Sequence, residues 1–365
     1  MQSNLFNYRA RTWKKLKQNK PAFAGLICII FFVFVALFAY MLAPDNTPHA
    51  DLQTVEIQAK KPGYTQQFLL IPNHRKIVGG FLSHFIFGKP APATYIPING
   101  YAIQGDSILV QKYVDEDTSI VQHYAIVAIT GIEKGDINKF IIRKKYWLGT
   151  DVLGRDILSR LIIGTRVSLA VGFIAVIISL SLGLLLGAMA GYFKGRTDEI
   201  ILWLINVTWS IPTLLLVFAI TMAMGKGFWQ IFIAVGLTLW VSVARLVRGQ
   251  VMAIKELEYV QAAKALGFSH TRIIIRHILP NIIGPLMVIA AGNFATAIII
   301  EAGLSFLGIG VQPPQPSWGL MINENYNFII THNPFLALIP GFAIMILVLA
   351  FNLLGNGLRD AVEEG

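Results

Sequence analysis

Six long stretches of apolar residues, none of which contains Asp, Glu, Lys or Arg, constrain this chain more than any other feature. A helix needs about 20 such residues to cross the hydrocarbon core of a membrane. One charge at the centre of such a helix costs roughly 2.5 to 3.5 kcal/mol on insertion scales. The pattern therefore predicts an all-α polytopic membrane protein with six transmembrane helices, formed by residues 21–43, 167–193, 201–225, 227–244, 278–300 and 325–358.

The distribution of Lys and Arg predicts the orientation of the chain in the membrane. The formal net charge is +10, and basic residues gather before the first span, after the second and fourth spans, and in the tail. Because short cytoplasmic loops collect Lys and Arg, both termini are predicted to be cytoplasmic. The excess charge then reflects membrane topology, and no nucleic-acid partner is expected. The only cysteine, Cys28, lies inside the first span, so the chain forms no intrachain disulfide.

The composition changes sharply after the first span. Residues 44–145 contain strand-like runs at 68–71, 94–98, 107–113 and 123–129, separated by turn residues. They predict a small β-rich extracytoplasmic domain. Residues 1–20 form a basic amphipathic segment, which favours an anchor on the membrane surface over a site for a protein partner. Residues 21–43 are the first span, and 146–365 are predicted to form a core with five spans.

Three glycines in the second predicted span lie four residues apart and therefore share one helix face. Gly183, Gly187 and Gly191 favour close packing against another helix, and a pore-lining role is compatible with the same spacing.

A polar cluster interrupts the third predicted span near its middle. Polar groups at that depth are tolerated only where they face protein or water. The cluster therefore predicts either a kinked helix with local hydrogen bonds or the lining of a translocation pathway. It consists of Asn206, Thr208, Ser210 and Pro212.

The sequence lacks the motifs that would let this chain supply its own energy. There is no G-x-x-x-x-G-K-[ST] loop for ATP and no H-E-x-x-H or cysteine pair for a metal. Catalysis and a bound cofactor are therefore not expected. Glu301 is the one acid near the end of a span, and a packed, paired carboxylate is the simpler interpretation. A transport function would then depend on a partner for its power.

The loop 245–280 is the most informative part of the chain outside the spans. Residues 255–266 are predicted to form a short helix with Leu257, Val260, Ala263 and Leu266 on one side. Gly267 follows as a helix C-cap, and Ser269 could cap a second helix that continues into the fifth span. Such a short exposed helix, with small side chains beside it, suits a groove on another protein.

This loop resembles the E-A-A-x3-G-x9-I-x-L-P motif of ABC importer permeases. The matching residues are Gln261-Ala262-Ala263, Gly267 and Leu279-Pro280, with Gln261 in the Glu position and His277 in the Ile position. The resemblance implies that the loop couples the permease to an ATPase. The coupling residues would be Glu258, Gln261, Ala262, Ala263, Gly267, Leu279 and Pro280.

Three further stretches resemble the dipeptide and oligopeptide permeases, and within them the C-type subunit. The first matches L-G-T-D-x-x-G-R-D-x-L-S-R and would lie near the extracytoplasmic face. The other two run over 303–319 and 352–360. Together they cover 146–362 closely and 1–43 loosely. The residues of the first stretch that define the family signature are Gly149, Thr150, Asp151, Gly154, Arg155 and Asp156.

The resemblance implies a type I ABC importer permease in a bacterial inner membrane. It implies a homologous B-type permease subunit, two ATPase subunits that use ATP and Mg, and an extracytoplasmic binding protein as partners. The chain would form half of a pathway for di- or oligopeptides. Nickel, oligosaccharides and peptide antibiotics are alternative cargoes that similar permeases carry.

Two features depart from the family, and two other functions remain open. The family has His-Pro where this chain has Tyr146-Trp147, and its first extracytoplasmic loop is short, which makes 44–145 an insertion. A secondary transporter would need repeats and intramembrane ionisable groups, of which only Glu301 is found. A membrane sensor would use the insertion as its sensing domain.

Overall fold

The computed structural model describes residues 13–73, 80–131, 136–225, 227–331 and 333–363, so most of the predicted basic segment at 1–20 lies outside the described residues. The described chain is mainly helical. Its helices are α1 (Lys20–Leu37), α2 (Ala39–Leu42), α3 (Phe81–Phe87), α4 (Ile126–Thr130), α5 (Ile157–Phe193), α6 (Gly195–Ser210), α7 (Thr213–Met224), α8 (Phe228–Lys255), α9 (Glu258–Ala265), α10 (His270–Ile273), α11 (Leu279–Phe306), α12 (Trp318–Asn325), α13 (Phe328–Thr331) and α14 (Phe335–Glu363).

The helical membrane fold predicted from the apolar stretches is confirmed. Five helical runs of the described chain are long and apolar enough to span a membrane. They are α1, α5, α8, α14 and the run His270–Phe306, in which a π-helical turn (Ile274–Ile278) joins α10 to α11. The remaining predicted span, the third along the chain at 201–225, is the pair α6 and α7, and the two helices are bent by 96° at their junction.

The break between α6 and α7 follows from its sequence. Ile211 is extended, with φ −96° and ψ 128°, because a residue before proline is excluded from the helical region. Pro212 then precedes the first residue of α7. The predicted kink is therefore a sharp break, located directly after Ser210.

The insertion forms one antiparallel sheet of five strands. The strands are β1 (Tyr64–Pro72), β2 (Ala93–Gln104), β3 (Ser107–Tyr113), β4 (Ser119–Ala125) and β5 (Ile141–Tyr146), in the order β4-β3-β2-β1-β5. Four predicted strands overlap β1 to β4. The fourth was wrong beyond Ala125, where the chain turns into α4, and β5 was not predicted.

Two compact units are distinguished in the chain, and one of them holds the sheet. It comprises Phe34–Val167 and Pro313–Gly341. Phe68 and Leu69 are neighbours in β1 and are both fully buried, so each face of the sheet has its own apolar cluster. Leu69 packs with Ile98 and Val110 on one face. The opposite face joins Phe68 to a group of tyrosines that includes Tyr146.

The second unit holds the long helices, and the glycine row of α5 explains how two of them pack. A Cβ at Gly183 would lie 2.4 Å from Cβ of Val243, and one at Gly187 would lie 2.5 Å from the Ala244 carbonyl oxygen. One at Gly191 would lie 2.7 Å from a carbonyl oxygen of α8. Only glycine lets the two backbones approach so closely. The packing interpretation of this row is therefore confirmed.

Candidate functional site

The short helix α9 begins later than the sequence predicted. Lys255 is the last residue of α8, Leu257 is extended, and α9 starts at Glu258. The Gln261 side chain donates a hydrogen bond from Nε2 to the Lys255 carbonyl oxygen at 3.0 Å. That carbonyl lies at the end of α8, where helix carbonyls lack partners within the helix. The glutamine in the Glu position thus fastens α9 to the end of α8.

The carboxyl end of α9 has the predicted glycine cap. Gly267 has a φ of +77°, in the left-handed region. Its N–H donates to the Lys264 carbonyl at 3.0 Å, and the N–H of Phe268 donates to the Ala263 carbonyl at 3.2 Å. This pair of bonds is the Schellman motif, which fixes the direction of the exit. Ser269 occupies the N-cap position of α10 but its side chain makes no capping bond.

The two faces of α9 differ from the prediction in one important respect. Val260 and Ala263 are buried within this chain, at 3% and 4% exposure. The methyl group of Ala263, one of the predicted coupling residues, therefore faces the chain's own core. Leu257 and Leu266 were predicted to lie on the same side as Val260 and Ala263, but they are 47% and 75% exposed. Both leucines lie just outside the helix, Leu257 before its first residue and Leu266 after its last, so neither shares its buried face.

The buried face of α9 belongs to an apolar cluster that connects it with the long helices. Val260 and Ala263 pack in one cluster with residues of α5, α8, α10, the π-helical turn and α11. Leu279 is a partly buried member of this cluster, and Pro280 lies in the first turn of α11. His277, in the family's Ile position, stacks its ring on Phe268 with centroids 5.9 Å apart. The exposed residues of α9 are Glu258, Tyr259, Gln261, Ala262, Lys264 and Ala265, and Leu266 directly after the helix is also exposed.

The signature stretch forms a tight loop before α5. Gly149 and Gly154 have φ values of +84° and +72°. A Cβ at Gly149 would lie 2.2 Å from the Lys60 carbonyl oxygen, and one at Gly154 would lie 1.8 Å from that of Thr54. Thr150 is fully buried, and its hydroxyl accepts the Lys60 N–H and donates to the Ile57 carbonyl. The loop is thus bonded throughout to residues 54–60.

A buried ionic cluster lies directly behind this loop. Arg155 is 2% exposed and donates from Nε to Asp151 at 2.7 Å and from Nη2 to Glu324 at 2.7 Å. Arg160, 1% exposed, donates to the same Glu324 oxygen at 2.9 Å. Asp51 lies 3.5 Å from the Arg155 guanidinium. Burial acts to lower the pKa of Arg155, but the three surrounding carboxylates outweigh it and raise the pKa.

Local structure explains how Glu324 reaches the two arginines. The Ser317 side chain accepts the Leu320 N–H and so caps the start of α12. Trp318 is fully buried, and its Nε1 donates to the Leu161 carbonyl at 3.0 Å. Glu324 then lies six residues further along α12. Neither Glu324 nor Asp51 was singled out in the sequence analysis.

Asp156 closes the signature on the other side. Its carboxylate accepts from both the backbone N–H and the hydroxyl of Ser159. Burial raises the pKa of Asp156, and the bonds to Ser159 act in the opposite direction. All six signature residues therefore lie in one bonded loop with structural contacts on every side. Among the described residues, no group of His, Cys, Asp and Glu forms a candidate metal site.

Comparisons with known proteins identify the family. The family described as "Binding-protein-dependent transport system inner membrane component" matches residues 183–365, and the "N-terminal TM domain of oligopeptide transport permease C" matches residues 7–61. The chain belongs to this permease family. It is a membrane-embedded transport subunit and not an enzyme.

Individual permeases resemble this chain over about 60% of its length. The glutathione transport permease GsiD of Pectobacterium atrosepticum is 43% identical over 218 residues, which are 60% of this chain and 72% of the relative. The oligopeptide permease OppC of Bacillus subtilis is 40% identical over 220 residues, 60% of this chain and 72% of the relative. The dipeptide permease DppC of the same organism is 42% identical over 218 residues, 60% of this chain and 68% of the relative. The MetNI methionine ABC transporter is 18% identical, covering 56% of this chain and 97% of that one, with a TM-score of 0.47.

The polar cluster of the third span lies in this permease on the exposed side of α6. Thr208 and Ser210 donate to carbonyl oxygens of their own helix, those of Leu204 and Val207, both at 2.8 Å. Asn206 accepts from Arg245 of α8 at 3.5 Å. The local hydrogen bonds of the kink interpretation are thus present. Asn206 and Ser210 are exposed and Thr208 is partly buried, which leaves the pathway interpretation open as a proposal.

Arg245 is a residue near this cluster to which the sequence assigned no site. Its guanidinium lies over the Trp209 ring, 3.6 Å from the centroid, and the residue is exposed. One turn further along α8, Arg248 forms a two-pronged ion pair with Asp198 at 2.5 and 2.6 Å. Arg248 therefore links α6 to α8, whereas Arg245 places an exposed cation beside the break between α6 and α7.

Proposed function

We propose that this permease forms half of the translocation pathway of an ATP-driven importer of di- and oligopeptides. A homologous B-type subunit would supply the other half, and an extracytoplasmic binding protein would deliver the peptide. The cargo class is supported by the relatives, which are named for glutathione, oligopeptides and dipeptides at 40–43% identity. Glutathione is itself a short peptide, so the three names agree on one chemical class.

The coupling role proposed for α9 is supported above all by its two-faced environment. One face is fixed in the cluster that contains residues of α5, α8 and α11, while the other is exposed. A rigid contact of this kind can carry a displacement at the exposed face into the long helices. ATP and Mg would be held by two ATPase subunits, and this chain would bind no cofactor.

Substitutions at two adjacent alanines test this role. Ala262→Trp adds bulk to the exposed face, so the fold should survive while the ATPase subunits are lost on purification and peptide uptake stops. Ala263→Trp overpacks the chain's own core, at a cost of about 1 to 3 kcal/mol or more. That variant should lower the amount of folded permease. Gly267→Val penalises the left-handed cap by about 1 to 2 kcal/mol and should also uncouple peptide uptake from the ATPase subunits.

The measurements are co-purification of the ATPase subunits and uptake of labelled peptide in reconstituted vesicles. Lys264→Arg, a conservative change at an exposed position of the same helix, is the control and should transport normally. Normal ATPase retention and uptake by Ala262→Trp would show that α9 is not the coupling element. If glutathione does not compete with the labelled peptide for uptake, glutathione is excluded as a cargo. That result would not affect the coupling proposal.

The orientation proposed for the chain has both termini and α9 in the cytoplasm of a bacterium, with the sheet outside. In a Cys28→Ser background, cysteines at Ser107 and Ser269 should react with an impermeant reagent from opposite faces. Labelling of both from the same face would refute this topology. We also propose Asn206, Thr208 and Ser210 as candidate pathway-lining residues, with Arg245 beside them.

A further inference from the structure

The helix α3, which lies between strands β1 and β2 in the chain, exposes an unusual amount of apolar surface. Phe81, Leu82 and Phe87 are 77%, 72% and 66% exposed, and Ile86 is 44% exposed. The helix contains no Asp, Glu, Lys or Arg. Contiguous apolar patches of this kind mark a binding surface on proteins that are otherwise well packed.

A row of phenylalanine rings connects this surface with the first transmembrane helix. Phe34 in α1 lies 4.7 Å from Phe38, measured between ring centroids, and Phe38 lies 5.8 Å from Phe85 of α3. Phe85 in turn stacks with Phe81 at 6.4 Å. The row begins at the half-exposed Phe34 and ends at the exposed Phe81. The apolar surface of α3 is therefore continuous with Phe34, an exposed residue in the last turn of α1.

The length of α1 sets the depth of this contact. The helix has 18 residues from Lys20 to Leu37, which correspond to about 27 Å at a rise of 1.5 Å per residue. The hydrocarbon core of a bilayer is about 30 Å thick. With the charged Lys20 at one boundary, Phe38 and the ring of Phe85 beside it lie near the opposite boundary.

Contacts at the carboxyl end of α3 fix its position. Arg166 of α5 donates from Nη1 to the Ile86 carbonyl at 2.7 Å, and its guanidinium lies 4.9 Å from the centroid of the Tyr40 ring. Gly88 has a φ of +80° and ends α3 against the Asn46 backbone, to which Lys89 also donates at 2.9 Å. An arginine on the last carbonyls complements the helix dipole.

We propose that α3 is an interfacial anchor, which lies in the boundary between headgroups and acyl chains on the side of the membrane opposite the amino terminus. Its ligand is the lipid bilayer, since its exposed face continues the lipid-facing side of α1 and sits at the depth where apolar helices lie in the interface plane. The anchor would tether the five-stranded sheet to the membrane surface next to the first span.

Site-directed spin labels on the full-length protein in bilayer nanodiscs test this proposal. In a Cys28→Ser background, Leu82→Cys and Phe87→Cys carry the label on α3. Ile120→Cys is the matched control, an apolar residue of the same insertion that is 52% exposed in the edge strand β4. We expect the two α3 labels to collide several-fold more often with oxygen, and less often with a soluble nickel chelate, than the control label.

Each other outcome counts against the anchor. Nickel collisions at Leu82 equal to those at Ile120 would place α3 in water. Protection of Leu82 from both reagents would indicate a protein contact, either a second copy of this chain or the partner permease. A second pair of variants guards against local unfolding: Leu82→Asp should raise the nickel accessibility of a label at Phe87, whereas Leu82→Met should leave it unchanged.

Discussion

The ionic cluster behind the signature loop should be sensitive to the loss of Glu324. This carboxylate binds two arginines at 2.7 and 2.9 Å, and both arginines are at most 2% exposed. The change Glu324→Gln keeps the size of the side chain and removes its charge. Arg160 then loses its shortest ionic contact, because its remaining carboxylate neighbour, Asp151, is 3.5 Å away.

The size of the effect follows from burial. Removing one partner of a buried ion pair costs about 3 to 5 kcal/mol, because a buried charge is left uncompensated. Glu324 keeps 14% of its side-chain exposure, and Arg155 keeps its bond to Asp151 at 2.7 Å. We therefore expect a loss near the lower end, about 3 kcal/mol.

Thermal unfolding of the detergent-solubilised permease, followed by tryptophan fluorescence, measures this loss. Glu324→Gln should unfold several degrees below the wild type. The control is Glu116→Gln, which breaks an exposed ion pair with Lys60 and should cause no measurable shift. Adding Arg160→Gln to Glu324→Gln should cost less than the sum of the two single changes. Wild-type stability of Glu324→Gln would refute the view that this cluster holds the loop.

Three further changes test close packing and titration. Gly154→Ala should destabilise far more than Gly63→Ala, although both have positive φ, because only Gly154 would bring its Cβ to 1.8 Å from a backbone oxygen; comparison of their unfolding temperatures decides this. Gly187→Val should disrupt the packing of α5 on α8, whereas Gly249→Val, with nothing within 4 Å, should not, as judged by monodispersity in detergent. Burial and its neighbour Tyr113 raise the pKa of Tyr64 to about 12. This group's contribution to stability is therefore present below pH 10 and is lost as the pH rises towards 12. Tyr64→Phe should remove that part of the loss of stability at alkaline pH, and tyrosinate absorbance shows where the group ionises.

Length and the absence of charge made the spans predictable. An uncharged run of about 20 residues has few alternatives to a membrane helix. The glycine row of α5 was predictable for a similar reason, since spacing alone puts its members on one face. In contrast, β5 contains Arg143, Lys144 and Lys145, and this basic run hid its pairing with β1. Burial of Tyr146 at its end depends on a partner strand about 80 residues earlier in the chain, which local pattern cannot show.

The candidate site also contains features that local sequence predicts and features that it does not. The cap at Gly267 was predictable because the required φ is a local property of the backbone. The exposure of Leu257 and Leu266 was not predictable from the helical spacing, because the ends of α9 exclude both residues from the helix. Glu324 could not be found at all, since its contacts with Arg155 and Arg160 join segments more than 160 residues apart in sequence.

The inserted sheet is connected through the signature loop to the parts of the chain that match the family. The family match at the amino terminus extends to residue 61, whereas the sheet begins at Tyr64 and lies between the two matched regions. Residues 54–60 of the matched region bond to Thr150, Asp151 and Leu153, as in the contact of the Ala59 N–H with the Asp151 carbonyl at 2.9 Å. β1 follows this segment directly, and β5 leads directly back into the loop at Gly149. The chain therefore enters and leaves the sheet next to hydrogen bonds between the matched segment 54–60 and the signature loop. An insertion of this size can thus be accommodated without a change in the loop that precedes α5.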